Sequence, residues 1–202
     1  MQAQADLKET YHHGDLRRTL IDATVELVRN HGPEKFSMAD ACKAAGVSKA
    51  APYRHFKNKE ELLKDVMAYG FMNMGSRMKA QSEGHEPGSD DRINALGWTY
   101  ISFAMDEPEL FRLMFGDHIE KDLYGEDAIG RDTFQLLLDE IIIRTKLKTE
   151  SEVMAVAFPL WTLVHGAATL TINNNYNRIY PDNDTKAMIA EATKQLLANY
   201  KF

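Results

Sequence analysis

The chain has 202 residues, 44% of them apolar and 27% charged, the composition of an ordinary globular chain able to bury a real core. The longest mostly apolar stretch, Val153 to Val164, falls short of the roughly 20 residues of a membrane span; residues 1–15 hold no apolar signal core, and the single cysteine, Cys42, excludes an internal disulfide. The net charge of −6 is uneven: residues 1–60 hold ten Lys and Arg against eight Asp and Glu, a net +2, which leaves −8 on the remainder. A cytosolic, reduced chain is expected, with a small head tolerant of polyanions on an acidic body and with no membrane partner, metal or cofactor.

Apolar residues recur with helical period almost throughout, and no run alternates as a strand does. The expected fold is all-α, with about nine helices: a flexible arm over residues 1–14, a three-helix head over 15–60 and a larger helical body over 61–202. A first helix is expected after Asp15 as its cap, from Leu16 to about His31, with Leu20, Thr24, Leu27 and Val28 on one face and Gly32-Pro33 as its stop. Ser37 caps a second helix, Met38 to Ala45, with Asp40 in the capping-box position. Gly46 ends it. A short third helix follows, Lys49 to about Phe56, with Ser48 as its cap; Pro52 is expected to distort its first turn without breaking it.

Asn58 caps the next helix, which runs to about Gln81. Residues 84–91 (GHEPGSDD) form the clearest loop, and after Ser89 a long helix reaches about Asp106. Pro108 opens a short successor, residues 116–125 are a polar connection, and helices follow over about 126–146, 151–173 and 185–200, with a turn-rich excursion over 173–184. Pro159 is expected to bend the helix that contains it.

Residues 37–59 read as helix, glycine turn, exposed helix, the order of a helix-turn-helix whose second helix enters the major groove. Ala41, Ala44 and Ala45 are small enough for close helix approach, and Gly46 permits a positive φ. Ser37, Ser48, Lys49, Tyr53, Arg54 and His55 are the candidate DNA-facing residues, with Lys57 and Lys59 beside the helix N-terminus at Asn58 as a phosphate clamp.

The run FSMADACKAAGVSKAAPYRHFKNKEELL, together with the preceding helix from Leu16 to Gly32, resembles the DNA-binding head of the tetracycline-repressor (TetR) family of bacterial transcription factors, over roughly residues 12–65. The resemblance implies that Tyr53 and His55 touch the sugar-phosphate backbone or a base edge and that Lys59 meets a phosphate. It also implies that Ser48 and Lys49 open the recognition helix while Val47 and Phe56 pack inside. The chain departs from the family at Ala50, Ala51 and Pro52, so a usual threonine contact to phosphate is missing and Pro52 must do the packing. Base preference then rests on Lys49, Tyr53 and Arg54, or on thymine methyls met by the three apolar residues. Residues 11–17 (YHHGDLR) are similar to the arm of one subgroup, placed along phosphates or in the minor groove.

A single head of this charge binds DNA weakly, so a homodimer is expected. The interface candidates are Val153, Ala157, Leu160, Val164 and Ala168 on the 151–173 helix and Ile189, Thr193 and Leu196 on the last helix, joined in a four-helix bundle. The alternative is that both stripes face the chain's own core. Trp161, His165 and Gly166, with residues 108–115 (PELFRLMF), are similar to a TetR subgroup with a Trp-His-Gly regulatory domain. His165 is expected to be a satisfied core or interface histidine. Six of the ten methionines lie within residues 61–120 among aromatic residues. A pocket for an apolar or aromatic effector is therefore expected from Met67, Met74, Met78, Trp98, Ile101, Phe103, Phe111, Met114, Phe115 and Trp161.

An enzyme is disfavoured: Gly46-Val47-Ser48-Lys49-Ala50 is no nucleophile elbow, and phosphate-loop and HExxH motifs are absent. Gly116-Asp117-His118 with Glu120 lacks ordered metal-ligand spacing. The expected function is a DNA-binding transcriptional regulator, a repressor released from a palindromic operator by its effector. The competing expectation is a helical ligand-binding or interaction protein without specific DNA binding.

Overall fold

The computed structural model describes residues 16–116, 130–179, 184–198 and 200. Among them lie nine α-helices and one 3-10 turn, and no strand. Helix α1 spans Leu16–His31 and buries Leu20, Thr24, Val25 and Val28. It stops at Gly32, whose φ of 81° only glycine adopts without strain. Helix α2, Met38–Ala44, starts on the expected capping box: Ser37 accepts from the Asp40 backbone, and Asp40 reaches back to the Ser37 N–H. That hydrogen bonding holds the Asp40 carboxyl below its ordinary pKa. Gly46 follows at φ 68°.

The expected helix over residues 49–56 is a 3-10 turn, Pro52–Arg54. Proline causes this. It has no N–H to return to the Ser48 carbonyl, so that carbonyl is met by the Ala51 N–H at 3.0 Å, an i→i+3 bond. Ser48 accepts no capping bond at its side chain among the described residues, and the segment is two tight turns ending in bonds from His55 and Phe56 to the Pro52 carbonyl, both 2.9 Å.

Helix α3, Lys59–Ser82, is capped by Asn58 and, at 24 residues, extends about 36 Å from head to body. Helix α4, Asp90–Asp106, is capped by Ser89, and α5, Pro108–Phe115, opens on its proline as expected. Helix α6 is Arg131–Thr145 and α7 is Glu150–Ile172. The start of α7 is a second capping box, Thr149 with Glu152, one residue ahead of the expected start. A short helix α8, Asn175–Ile179, occupies part of the expected loop, and α9 spans Thr185–Leu197. Asp15, the arm and the 117–120 cluster lie outside the described residues.

Helix α4 is the centre of the body, packed between α3 and α7, with α5, α6 and α9 around it. Gly97 permits the α4–α7 approach: a Cβ there would stand 3.0 Å from Val164 Cγ1. The head has its own small core of Leu20, Ala41, Phe56 and Leu62, with Val47 packed against it. A larger core spans α1, α3, α4, α5, α7 and α9. At the far end Glu140 is buried and accepts from the Gly88 N–H at 2.6 Å and from Arg92 at 2.7 Å, while Arg144 donates to the Tyr200 carbonyl at 2.9 Å.

One sequence expectation about membranes is corrected. Helix α7 has 23 residues and an apolar window of mean hydropathy 1.6, long and apolar enough to cross a bilayer by composition. Pro159 does not interrupt it, and Val153, Val156, Ala157, Leu160, Val164, Ala167 and Ala168 are buried within the protein.

Candidate functional site

The exposed edge of the head is built by the Gly46 turn and the 3-10 turn. Ser48, Lys49, Ala50, Tyr53, Arg54, His55 and Lys57 are all exposed, Tyr53 to 61%. Beneath them Pro52 and Phe56 are buried, so the apolar half of the segment anchors it and the polar half faces outward. Pro52 does the packing expected of it and cannot meet a thymine methyl; Ala51 is half-buried and Ala50 open. Ala41 is buried at the helix contact, whereas Ala44 faces solvent. Lys49 and Arg54 make no ion pair with the described residues, so their charges are uncommitted.

Two candidates have other duties. The Lys59 ammonium turns inward, donating to the Phe36 carbonyl at 2.7 Å and the Glu34 carbonyl at 3.3 Å, 4.2 Å from the Phe36 ring centroid. Its desolvation lowers its pKa. It fastens the loop after α1 to the start of α3 instead of standing free for phosphate. Ser37 is committed to its capping box. Lys57 remains 88% exposed, although Glu61, which takes the Lys57 N–H at 2.7 Å, also draws its ammonium to 3.4 Å. Of the two lysines of the expected phosphate clamp, Lys57 is exposed and Lys59 is turned inward.

Head and body are joined at a carboxylate. Glu107, between α4 and α5, accepts from Arg29 of α1 and has Arg77 of α3 3.7 Å away. Arg77 also pairs with Asp106 at 3.1 Å. A cleft of about 480 Å³ lies at this joint, lined by Arg29, Asp106, Glu107, Pro108 and Glu109.

The expected pocket residues divide. Met67, Met74, Met78, Ile101, Phe103 and Met114 are at most 5% exposed and fill the large core; Trp98 lies at its margin under the Lys186 ammonium. Phe111, Phe115 and Trp161 come together instead around His165, with ring centroids 5.7, 5.0 and 5.3 Å from the imidazole. Tyr100 completes the group, its hydroxyl 2.7 Å from His165 Nδ1. Burial pushes the Tyr100 phenol up and the His165 imidazole down. Phe115, Trp161 and His165 stay half-buried, so the cluster opens on one side. The sequence left Tyr100 out of the pocket. The Trp161–His165 spacing of one helical turn was a signal for one wall, but nothing in the sequence marks the pairing with α4.

The expected dimer stripe is corrected. Val153, Ala157, Leu160, Val164, Ala168, Ile189 and Thr193 are buried in the chain's own interior, and only Leu196 is exposed, at 41%. The alternation of apolar residues on α7 is satisfied by α4 and α6. The opposite side carries Ala155, Phe158, Pro159, Thr162 and Leu170 to solvent, with Phe158 53% exposed, and neighbouring α9 exposes Met188 at 49%.

Comparison with known proteins shows the family and the fold. The family model of bacterial regulatory proteins, tetR family, matches residues 20–66, and that of the tetracyclin repressor-like C-terminal domain matches residues 93–196. The chain is 28% identical over 153 residues to the nucleoid occlusion factor SlmA of Marinobacter nauticus, covering 75% of each chain. It is 30% identical over 117 residues to the HTH-type transcriptional regulator BetI of Yersinia pestis, covering 48% of this chain and 58% of that one. A solved structure of a protein of unknown function from Rhodococcus sp. RHA1 superposes with a TM-score of 0.77 at 23% identity, over 96% of this chain and 100% of the other.

Proposed function

The chain belongs to the tetR family of bacterial regulatory proteins, DNA-binding transcriptional regulators, and on that premise we propose that it is a homodimeric repressor, released from a palindromic operator by a small apolar or aromatic effector. The carrying observation is the head: an exposed polar edge of Lys49, Tyr53, Arg54 and His55 held out by buried Pro52 and Phe56. Lys49 and Arg54 supply donors for guanine edges or phosphates, and Tyr53 for phosphate or sugar. Lys57 and the N-terminus of α3 supply the backbone clamp. The site of action is the cytoplasm, where that DNA lies.

The packing of α7 against α9, with Phe158, Leu170 and Met188 left exposed, supports dimerisation through these two helices. Two copies joined through that face form a four-helix bundle, with the inward stripes left to each protomer's core. Phe158→Glu is expected to yield monomers by sedimentation at unchanged helical content.

The effector is proposed to bind at the aromatic group of Tyr100, Phe111, Phe115, Trp161 and His165 and to act by favouring one spacing of the two heads. A mobility-shift titration with the gene's own upstream region tests the reading: retarded DNA that outlasts scrambled competitor and weakens steeply with salt supports it. Binding indifferent to sequence favours the helical interaction protein instead.

A further inference from the structure

The aromatic group carried by α4, α5 and α7 is partly exposed at Phe115, Trp161 and His165 and contains polar atoms. Tyr100 Oη and His165 Nδ1 are 2.7 Å apart. Tyr100 is 4% exposed, and its hydroxyl meets no other acceptor among the described residues. A buried hydroxyl proton without an acceptor costs more than an N–H on the half-buried imidazole, so the hydroxyl donates to Nδ1. Burial disfavours a second proton on the imidazole. His165 is therefore neutral, with Nδ1 as acceptor and its one N–H on Nε2. That Nε2–H meets no acceptor among the described residues, while Phe111 stacks on the imidazole at an interplanar angle of 29° and Phe115 stands edge-on at 68°.

Resting on the reading of this group as the effector site, we propose that His165 Nε2–H is its polar handle, and that the effector is a flat, mainly aromatic molecule ending in an acceptor oxygen, a carbonyl, phenolate or carboxylate. The rings supply faces for a planar apolar body. Those same faces would attract a cation, but the N–H presents the positive end of its dipole where the ligand's polar group must lie. A ligand without an acceptor leaves a half-buried donor unpaired and binds more weakly. Tyr100 acts here as the positioning residue, fixing the tautomer.

The test uses the full chain and three probes of one shape: naphthoate, methylnaphthalene and a naphthyl trimethylammonium ion, titrated against tryptophan fluorescence, for which Trp161 lies 5.3 Å from His165. Naphthoate is expected to bind at least about tenfold tighter than methylnaphthalene, a 1.4 kcal/mol difference, with the cation weakest. His165→Gln, which keeps an N–H donor, retains that ranking; His165→Phe abolishes it; Tyr100→Phe, which frees the imidazole to hold its proton on either nitrogen, narrows it. The proposal is overturned if methylnaphthalene or the cation binds as tightly as naphthoate, if His165→Phe keeps the ranking, or if no probe binds. Should His165→Phe fail to fold, the wild-type ranking and His165→Gln decide. Operator binding measured without probe is independent of all of these, so its loss indicts the regulator reading and its persistence confines a failure to the handle.

Discussion

Arg29 and Glu107 form a two-point ion pair between head and body: Nε lies 2.8 Å from one carboxylate oxygen and Nη2 lies 2.6 Å from the other. The geometry is that of a planar fork on a carboxylate, with one arrangement far better than its neighbours. It raises the Arg29 pKa further, chiefly through the hydrogen bond to Glu107. Glu107 is also where α4, carrying Tyr100, turns into α5, carrying Phe111 and Phe115. A ligand at the proposed effector site that moved those rings would pull on the residue that holds α1.

Glu107→Gln keeps the shape and removes the charge. Glu107 is 11% exposed and Arg29 30%, so the cost is below that of a fully buried pair, about 1–3 kcal/mol by urea unfolding. The result expected in addition is a weaker drop in operator affinity on effector binding, because head and body are less firmly joined. A variant as stable as the parent would remove the ion pair from the account.

Gly130 is strained for any other residue. Its φ is 93°, and a Cβ there would stand 2.7 Å from the Phe71 ring. Gly130→Ala combines an unfavourable backbone conformation with overpacking against a buried aromatic, and about 2 kcal/mol of lost stability is expected in thermal or urea unfolding. Gly46→Ala, at φ 68° with open space around it, is expected to cost less, because only the backbone term applies.

His165 gives a pH dependence with a definite sign. Its folded pKa is depressed by burial. The unfolded chain therefore binds a proton that the native chain refuses once the pH falls below about 6.5. Stability from this group is fully present above that pH and declines below it, until the native imidazole protonates as well. Urea midpoints measured from about pH 7.5 to 5.5 are expected to fall in the parent, with a smaller fall in His165→Gln. Asp40, Glu61 and Glu152, held down by hydrogen bonds to their own helix starts, add losses in the same direction in the carboxylate range.

Much of the frame was legible because helix boundaries are local chemistry. Ser37, Asn58, Ser89 and Pro108 mark their helices in the sequence and in the structure alike. Thr149 and Glu152 carry the same signal for α7. Pro52 does more than distort a first turn, since one missing N–H in so short a segment removes most of its i→i+4 bonds. The long-range facts were hidden. Lys59 meets carbonyls 23 and 25 residues away, and Tyr100 meets a histidine 65 residues away, neither of which follows from spacing along one helix. The α7 stripe was read correctly as apolar, but periodicity does not tell which neighbour covers it.

The most direct measurement compares operator binding by Lys49→Ala, Tyr53→Ala and Lys59→Ala in mobility shifts at one stated salt concentration, with melting curves for each. The account predicts that Lys49→Ala and Tyr53→Ala each weaken binding about tenfold at unchanged melting temperature, with the salt slope of Lys49→Ala lower by about one. Lys59→Ala should lower the melting temperature, because its ammonium ties the Phe36 loop to α3. Full operator affinity in both Lys49→Ala and Tyr53→Ala would contradict the assignment of that edge to DNA.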